Sequence, residues 1–275
     1  MYGVDRSVAT RSLPGGEAVL RLEEAEVIYP NDTRALSPTT LAFERSRFTV
    51  LLGPSGAGKS TLLRTLNGLV PLTRGRVLSA ALGPLPGRGG WRAHRRTVGM
   101  VFQQHQLIGR LSALGNVLMG RLGHHSALRT LLPFTKREKE AALVALERVG
   151  LMEYALRRVD QLSGGQQQRV GIARALVQQP SVILADEPVA SLDPATAERV
   201  LGLLYTICRE DGLTAVVSLH QVELARRFAD RIVGIAAGSV VFDDVPDCLD
   251  EAAVARIYRG SAAATQAVPL MEEVA

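Results

Sequence analysis

Residues 49–63 read TVLLGPSGAGKSTLL. An apolar run ends at Gly53, a loop of small residues follows, and Leu62, Leu63, Leu66 and Leu69 then fall on one side of an expected helix. The spacing of Gly53 to Gly58-Lys59-Ser60 fits the phosphate-loop pattern. Glycine geometry there lets successive N–H groups curl around phosphate oxygens. Lys59 would reach the β- and γ-phosphates of a nucleotide, and the Ser60 hydroxyl would ligate Mg²⁺. The bare pattern arises by chance in roughly one chain in a hundred of this length. Its place between an expected strand and an expected helix separates this copy from an ordinary glycine turn.

A second stretch, VILADEP at 182–188, closes an apolar strand on two carboxylates, Asp186 and Glu187. An apolar strand interior would not tolerate them, so the strand must end there and face a polar site. Alternation along a strand sends the two side chains different ways, which suits different tasks. Asp186 would hold Mg²⁺ through its water shell, and Glu187 would polarise an attacking water. A third stretch, LSGGQQQRV at 162–170, reads as a loop turning into a helix. Ser163 and Gln166 have capping-box spacing, and the new helix terminus offers N–H groups to an anion. This second anion site carries no lysine and no metal hydroxyl of its own.

Single residues carry less. Gln103 closes an expected strand VGMVFQ (98–103) and either reaches the metal or water, or is a solvated strand end. His220 closes TAVVSLH (214–220) and either meets a γ-phosphate or is a polar terminus. Tyr29 either stacks on a base or packs. SLDP (191–194) reads as a turn before a helix.

The 275 residues suffice for one large or two modest domains. At 47% hydrophobic and 21% charged the chain is globular, and the formal charge of +5 is modest enough to be a solvated surface. Cys208 and Cys248 have no metal or redox spacing. No apolar run is long enough to span a bilayer, and the first residues have no signal core, so a soluble or peripheral protein is expected. Residues 1–17 read as a flexible arm and the Ala-rich end as a mobile tail. Apolar runs at 181–186 and 214–220 suit parallel strands buried on both faces. From about Leu107 to Leu176 the pattern is mainly helical, with Thr135 and Glu138 in capping-box spacing and Gly150 placed to end that helix. Residues 79–96, SAALGPLPGRGGWRAHRR, read as a turn-rich basic connection. Its Arg88, Arg92, His94, Arg95 and Arg96 with Trp91 could pass for a nucleic-acid patch, but a solvated surface is the expectation.

The order Tyr29, GPSGAGKST, Gln103, LSGGQQQRV, VILADEP, SLDP and His220 resembles the ATP-binding subunit of an ABC transporter over about residues 18–245. The resemblance implies an α/β fold: a P-loop NTPase (RecA-like) core with an antiparallel β subdomain and an inserted α-helical subdomain at about 104–176. One ABC ATPase domain would span 18–248, with a C-terminal helix and tail at 249–275. It implies an ATPase with ATP and Mg²⁺ as cofactors. Tyr29 would stack on adenine, and Gly53, Pro54, Ser55, Gly56, Ala57, Gly58, Lys59, Ser60 and Thr61 would bind the phosphates. Ser60, Gln103 and Asp186 would serve the metal, and Glu187, His220, Lys59 and Gln103 catalysis. Two such units would pack head to tail, so that Ser163, Gly164, Gly165 and Gln166 complete the site on the other subunit. Membrane permease subunits, a periplasmic binding protein acting indirectly, and the cytoplasmic face of the inner membrane are implied, and nucleic acid is not expected. GNVLMGRLGHHSALRTLLPFTKREKE (115–140) narrows the resemblance to phosphonate-importer ATPases, the alternatives being an importer ATPase for another small anion or amino acid, or a soluble ABC ATPase acting on nucleic acid. The segment GRLGHHSALRTLL within it would report a membrane partner. Its adjacent His124 and His125 point apart and lack a third ligand, which speaks against a metal site.

Overall fold

A computed structural model describes residues 17–85, 87–103, 106–126 and 129–259, the side chains of 87, 88 and 131 excepted. The expected arm lies outside the described residues except for Glu17, as does the tail beyond Arg259.

Two sheets and a set of helices account for the described residues. The strands β1 (Ala18–Ile28) and β2 (Arg34–Glu44) pair antiparallel. The strand β3 (Phe48–Leu52) runs into the glycine loop and the helix α1 (Lys59–Leu66). Then come β4 (Arg74–Ser79), β5 (Gly83–Pro84), the helix α2 (Gly87–Thr97) and β6 (Val98–Val101). The helical stretch holds α3 (Ala113–Met119), α4 (Lys136–Arg148) and α5 (Gly164–Leu176), with short 3-10 turns between them. After it, β7 (Val182–Ala185), α6 (Pro194–Glu210), β8 (Thr214–Leu219), α7 (Val222–Phe228), β9 (Arg231–Ala236), β10 (Ser239–Asp244) and α8 (Glu251–Tyr258) complete the fold.

The four-stranded antiparallel sheet has the order β2-β1-β4-β5, and the six-stranded sheet β10-β9-β3-β8-β7-β6. In the larger sheet β9, β3, β8, β7 and β6 pair parallel, and β10 joins the edge antiparallel. Its strands read apolar throughout because each face has its own core. Phe48, Val50 and Leu52 of β3 pack with α5, α6 and the helical stretch, while Leu51 packs with α1 and the antiparallel sheet. Ala215 and Val217 against Val216 in β8 repeat the split, as do Ile183 and Ala185 against Leu184 in β7. This is the α/β architecture that the resemblance implies, with an antiparallel sheet and a helical stretch beside the parallel core.

Three expectations change. Leu69 is not on the apolar side of α1: the helix ends at the cap Asn67, Gly68 turns left-handed at φ 63°, and Leu69 is 47% exposed. Gln103 does not close a strand, because β6 stops at Val101 and Gln103 sits on the exposed loop beyond it. The connection 79–96 stays largely solvated, with only Ser79 and His94 buried among its described residues, but it is turn-rich only in its first part, since helix α2 takes over from Gly87. His94 is fully buried, with Nε2 2.9 Å from the Leu66 carbonyl at the end of α1. Burial pushes the His94 pKa down, so a neutral ring donates from Nε2. Arg92 and Arg96 donate to the carbonyls of His125 and Gly123. A basic run reads the same whether its partners are water or carbonyls, which explains the miss.

The capping box on α4 is present: the Thr135 hydroxyl accepts from the Glu138 amide, and the Glu138 carboxylate accepts from the Thr135 amide at 2.8 Å. The same carboxylate also receives His125 Nε2 and Arg129. Burial pushes the Glu138 carboxyl up, but the Thr135 donors and the His125 ring outweigh it and hold the pKa at about 2. A depressed carboxyl stabilises the fold above its unfolded value and loses that contribution as pH falls through the folded one. Stability should therefore decline between pH 4.5 and about 2 in part through this group. Denaturant melts across that window should show a shallower decline for Glu138→Gln.

Candidate active site

The glycine loop is built where β3 meets α1. A Cβ on Gly53 would lie 2.3 Å from the Ile235 carbonyl oxygen, and one on Gly58, at φ 106°, 2.4 Å from that of Ala35. Only glycine allows the loop to pass so close to β2 and β9. Gly56, at φ 78°, has nothing within reach of an added Cβ and faces open space. Lys59 opens α1 and is buried, its ammonium 2.8 Å from the Gly53 carbonyl, 2.9 Å from that of Pro54 and 3.2 Å from Glu187 Oε1. The loop thus points a lysine back across its own mouth.

Strand β7 delivers the two carboxylates to the same place. Asp186 is fully buried and accepts from Ser60 Oγ at 2.6 Å, Ser218 Oγ at 3.1 Å and Arg64 Nη2 at 3.1 Å. Burial of a carboxylate is tolerable because its oxygens are matched by hydroxyls and a guanidinium. Both acids lie past the strand end, so strand alternation is not what parts them. Glu187 adopts φ 44°, a left-handed conformation costly for a residue with a Cβ, and its amide donates to Ser218 Oγ at 2.8 Å. That turn sends its side chain to Lys59, with His220 Nδ1 3.9 Å from Oε2.

Tyr29, Ser55–Thr61, Gln103, Glu187, Ala237 and Gly238 line one cleft of about 430 Å³. The Tyr29 hydroxyl is 3.2 Å from Thr61 Oγ1. Ser163, Gly165 and Gln166 line a different cleft with Arg169, Thr196 and Arg199. The Ser163–Gln166 capping box is formed in both directions. Asp193 caps α6 with Pro194 in its first turn, as the turn-then-helix reading of SLDP expects. Among the described residues no group of three or more His, Cys, Asp or Glu is arranged to hold a metal ion, and His125 is engaged with Glu138. No helix of the described residues is long and apolar enough to cross a membrane.

Sequence reasoning passed over Arg64 and Ser218, the partners of Asp186. Ser218 had a visible signal, a lone hydroxyl inside the apolar run TAVVSL. Arg64 had none beyond its place on α1. Tyr258 of α8 also escaped notice; its hydroxyl donates to the His220 carbonyl at 2.6 Å.

A parallel sheet that brings a glycine loop, its lysine and an acidic strand end to one cleft defines a phosphate-loop nucleotide-binding protein. Residues 36–190 match the family model described as ABC transporter, and the chain belongs to that family. It is 61% identical over 247 residues to the phosphite import ATP-binding protein of Stutzerimonas stutzeri, covering 90% of each chain. It is 57% identical to a phosphonates import ATP-binding protein of Cupriavidus metallidurans, over 87% of this chain and 86% of that one. Among solved structures it is similar to the ATP-binding cassette MJ0796, described as dimeric in a post-hydrolysis state with ADP and Pi. The two share 34% identity and a TM-score of 0.72, covering 82% of this chain and 98% of that one. The cbiO1 subunit of Clostridium perfringens gives 29% identity and a TM-score of 0.75, over 87% and 94%.

Proposed function

We propose that the chain is the ATP-hydrolysing motor subunit of a membrane importer for small phosphorus oxyanions, phosphonates in the first place. The observation that carries the reading is the convergence of Lys59, Ser60 and Glu187 on one cleft, with Asp186 buried behind Ser60, while the signature residues open elsewhere. Lys59 and the loop amides bind the β- and γ-phosphates of ATP, and Tyr29 at the cleft edge stacks on the adenine. Ser60 and Asp186, oxygen donors 2.6 Å apart, suit Mg²⁺, which takes hard oxygen ligands and keeps several waters. Gln103 on the same cleft is the further metal-side oxygen. Bound there, the ion would neutralise phosphate charge. Glu187 accepts a proton from the attacking water, and His220 beside it contacts the γ-phosphate. Such transfer rests on positioning and charge stabilisation.

The signature cleft supplies the reason for a homodimer. Ser163, Gly164, Gly165 and Gln166 at the start of α5 form an anion site without a lysine, so they complete a partner's phosphate site in a head-to-tail pair. The partners are then a second copy, permease subunits in the inner membrane and, indirectly, a periplasmic binding protein. The chain works peripherally at the cytoplasmic face. Nucleic acid is disfavoured, because Arg92, Arg95 and Arg96 donate to backbone carbonyls instead of forming a free patch.

The substrate class draws on the likeness to phosphonate and phosphite importers, and uptake of labelled methylphosphonate and phosphite in the source cells tests it. Cells carrying Glu187→Gln should lose uptake of at least one of them while phosphate uptake holds. If both proceed unchanged beside the mutant, this importer assignment fails and another small anion takes its place.

A further inference from the structure

Two segments that the nucleotide site does not use, the basic run of α2 and the insertion after α3, meet each other in the fold. We propose that α2 is a mechanical strut that couples the phosphate-loop helix to the insertion and to the signature helix α5, with Arg92 and Arg96 as its positioning residues. The inference rests on ATP binding at Lys59 and deepens that reading by naming how binding is transmitted.

One end of the strut grips the end of α1. The His94 ring bonds the Leu66 carbonyl at 2.9 Å, and Arg95 Nη1 lies 3.5 Å from the Asn67 and 3.4 Å from the Gly68 carbonyl oxygen. The last carbonyls of a helix lack intrahelical partners, so cationic and N–H groups are favoured there. Trp91 packs so tightly on Gly68 that a Cβ there would lie 2.2 Å from its ring. The helix α1 is short, so Lys59 at its start and the Leu66 carbonyl held by His94 at its end lie roughly 10 Å apart on one element.

The other end holds the insertion. Arg92 Nη2 donates to the His125 carbonyl and Arg96 Nε to the Gly123 carbonyl, each at 2.8 Å. From there the contacts run on. The His125 ring bonds Glu138, which caps α4. Arg121 Nη1 donates to the Val177 carbonyl at the end of α5 at 3.2 Å, and a Cβ on Gly120 would lie 2.3 Å from the Arg174 carbonyl oxygen. A contiguous set of hydrogen bonds thus runs from the phosphate loop through α1, α2 and residues 120–125 to the helix that starts with the signature. It bypasses the exposed loop at Gln103. Contiguity alone does not demonstrate coupling; an altered response in a variant does.

The test is amide hydrogen exchange on the full chain in a Glu187→Gln background, which should bind ATP and turn it over far more slowly. ATP should change exchange across residues 120–126 by roughly 2- to 30-fold. Arg92→Ala/Arg96→Ala should bind ATP with unchanged affinity and lose that response, and the corresponding lysine pair should restore part of it. Gly123→Ala, where an added Cβ meets nothing within 4 Å, should respond as the parent does. An alanine pair that merely exchanges faster at 120–126 with and without ATP, the response intact, overturns the proposal. So does a parent that binds ATP with no response there. A parent that fails to bind ATP overturns the ATPase reading itself, and the coupling with it. If thermal melts show the alanine pair unfolded, Arg96→Ala alone decides, with a reduced response expected and an unchanged one contrary.

Discussion

Glu187→Gln should lower ATP turnover by roughly 10²- to 10⁴-fold, the range spanned by a positioned general base. The amide keeps the shape and hydrogen-bonding reach of the carboxylate but cannot accept the proton of the attacking water. The left-handed backbone at φ 44° and the amide bond to Ser218 do not depend on the side-chain charge, so its position should hold. Binding should move the other way. Glu187 Oε1 lies 3.2 Å from the Lys59 ammonium, in a pair that is 15% and 3% exposed. A negative charge so placed repels an incoming phosphate, and its removal should leave ATP affinity equal or tighter. Single-turnover hydrolysis and equilibrium ATP binding, measured on one preparation, separate the two effects. Equal turnover in mutant and parent would remove Glu187 from its assigned role.

Lys59→Ala should act on binding itself. A charge-assisted hydrogen bond contributes about 1.5–3 kcal/mol, so ATP affinity should fall roughly 10- to 150-fold. The substitution also strips the Gly53 and Pro54 carbonyls and Glu187 of their buried cationic partner. Some loss of stability is therefore expected beside the loss of affinity. Titration with ATP at a temperature well below the variant's own midpoint, with melts as control, keeps the two apart. Unchanged affinity would count against the phosphate-loop role.

Much of the site was legible before any coordinates. The glycine spacing, the apolar strands and the acidic strand end are local chemistry, and they led to Lys59, Ser60 and Glu187 beside one cleft. The capping boxes at Thr135 and Ser163 were legible for the same reason, since both partners sit three residues apart. Leu69 failed because helical periodicity says which side a leucine would take and not where the helix stops. Gln103 failed by a similar margin, two residues past its strand.

The sequence by itself determined the buried parallel strands, the two capping boxes, the phosphate loop and the acidic strand end, because each depends on neighbours in the chain. Tertiary structure alone decided that Arg64 and Ser218 hold Asp186, and that the signature opens into a cleft away from Lys59. It also decided that the basic residues of α2 bridge α1 and the insertion. The physical reason is common to these cases. A guanidinium accepts any oxygen within reach, and backbone carbonyls are chemically alike at every position, so which one an arginine meets is set only when distant segments pack.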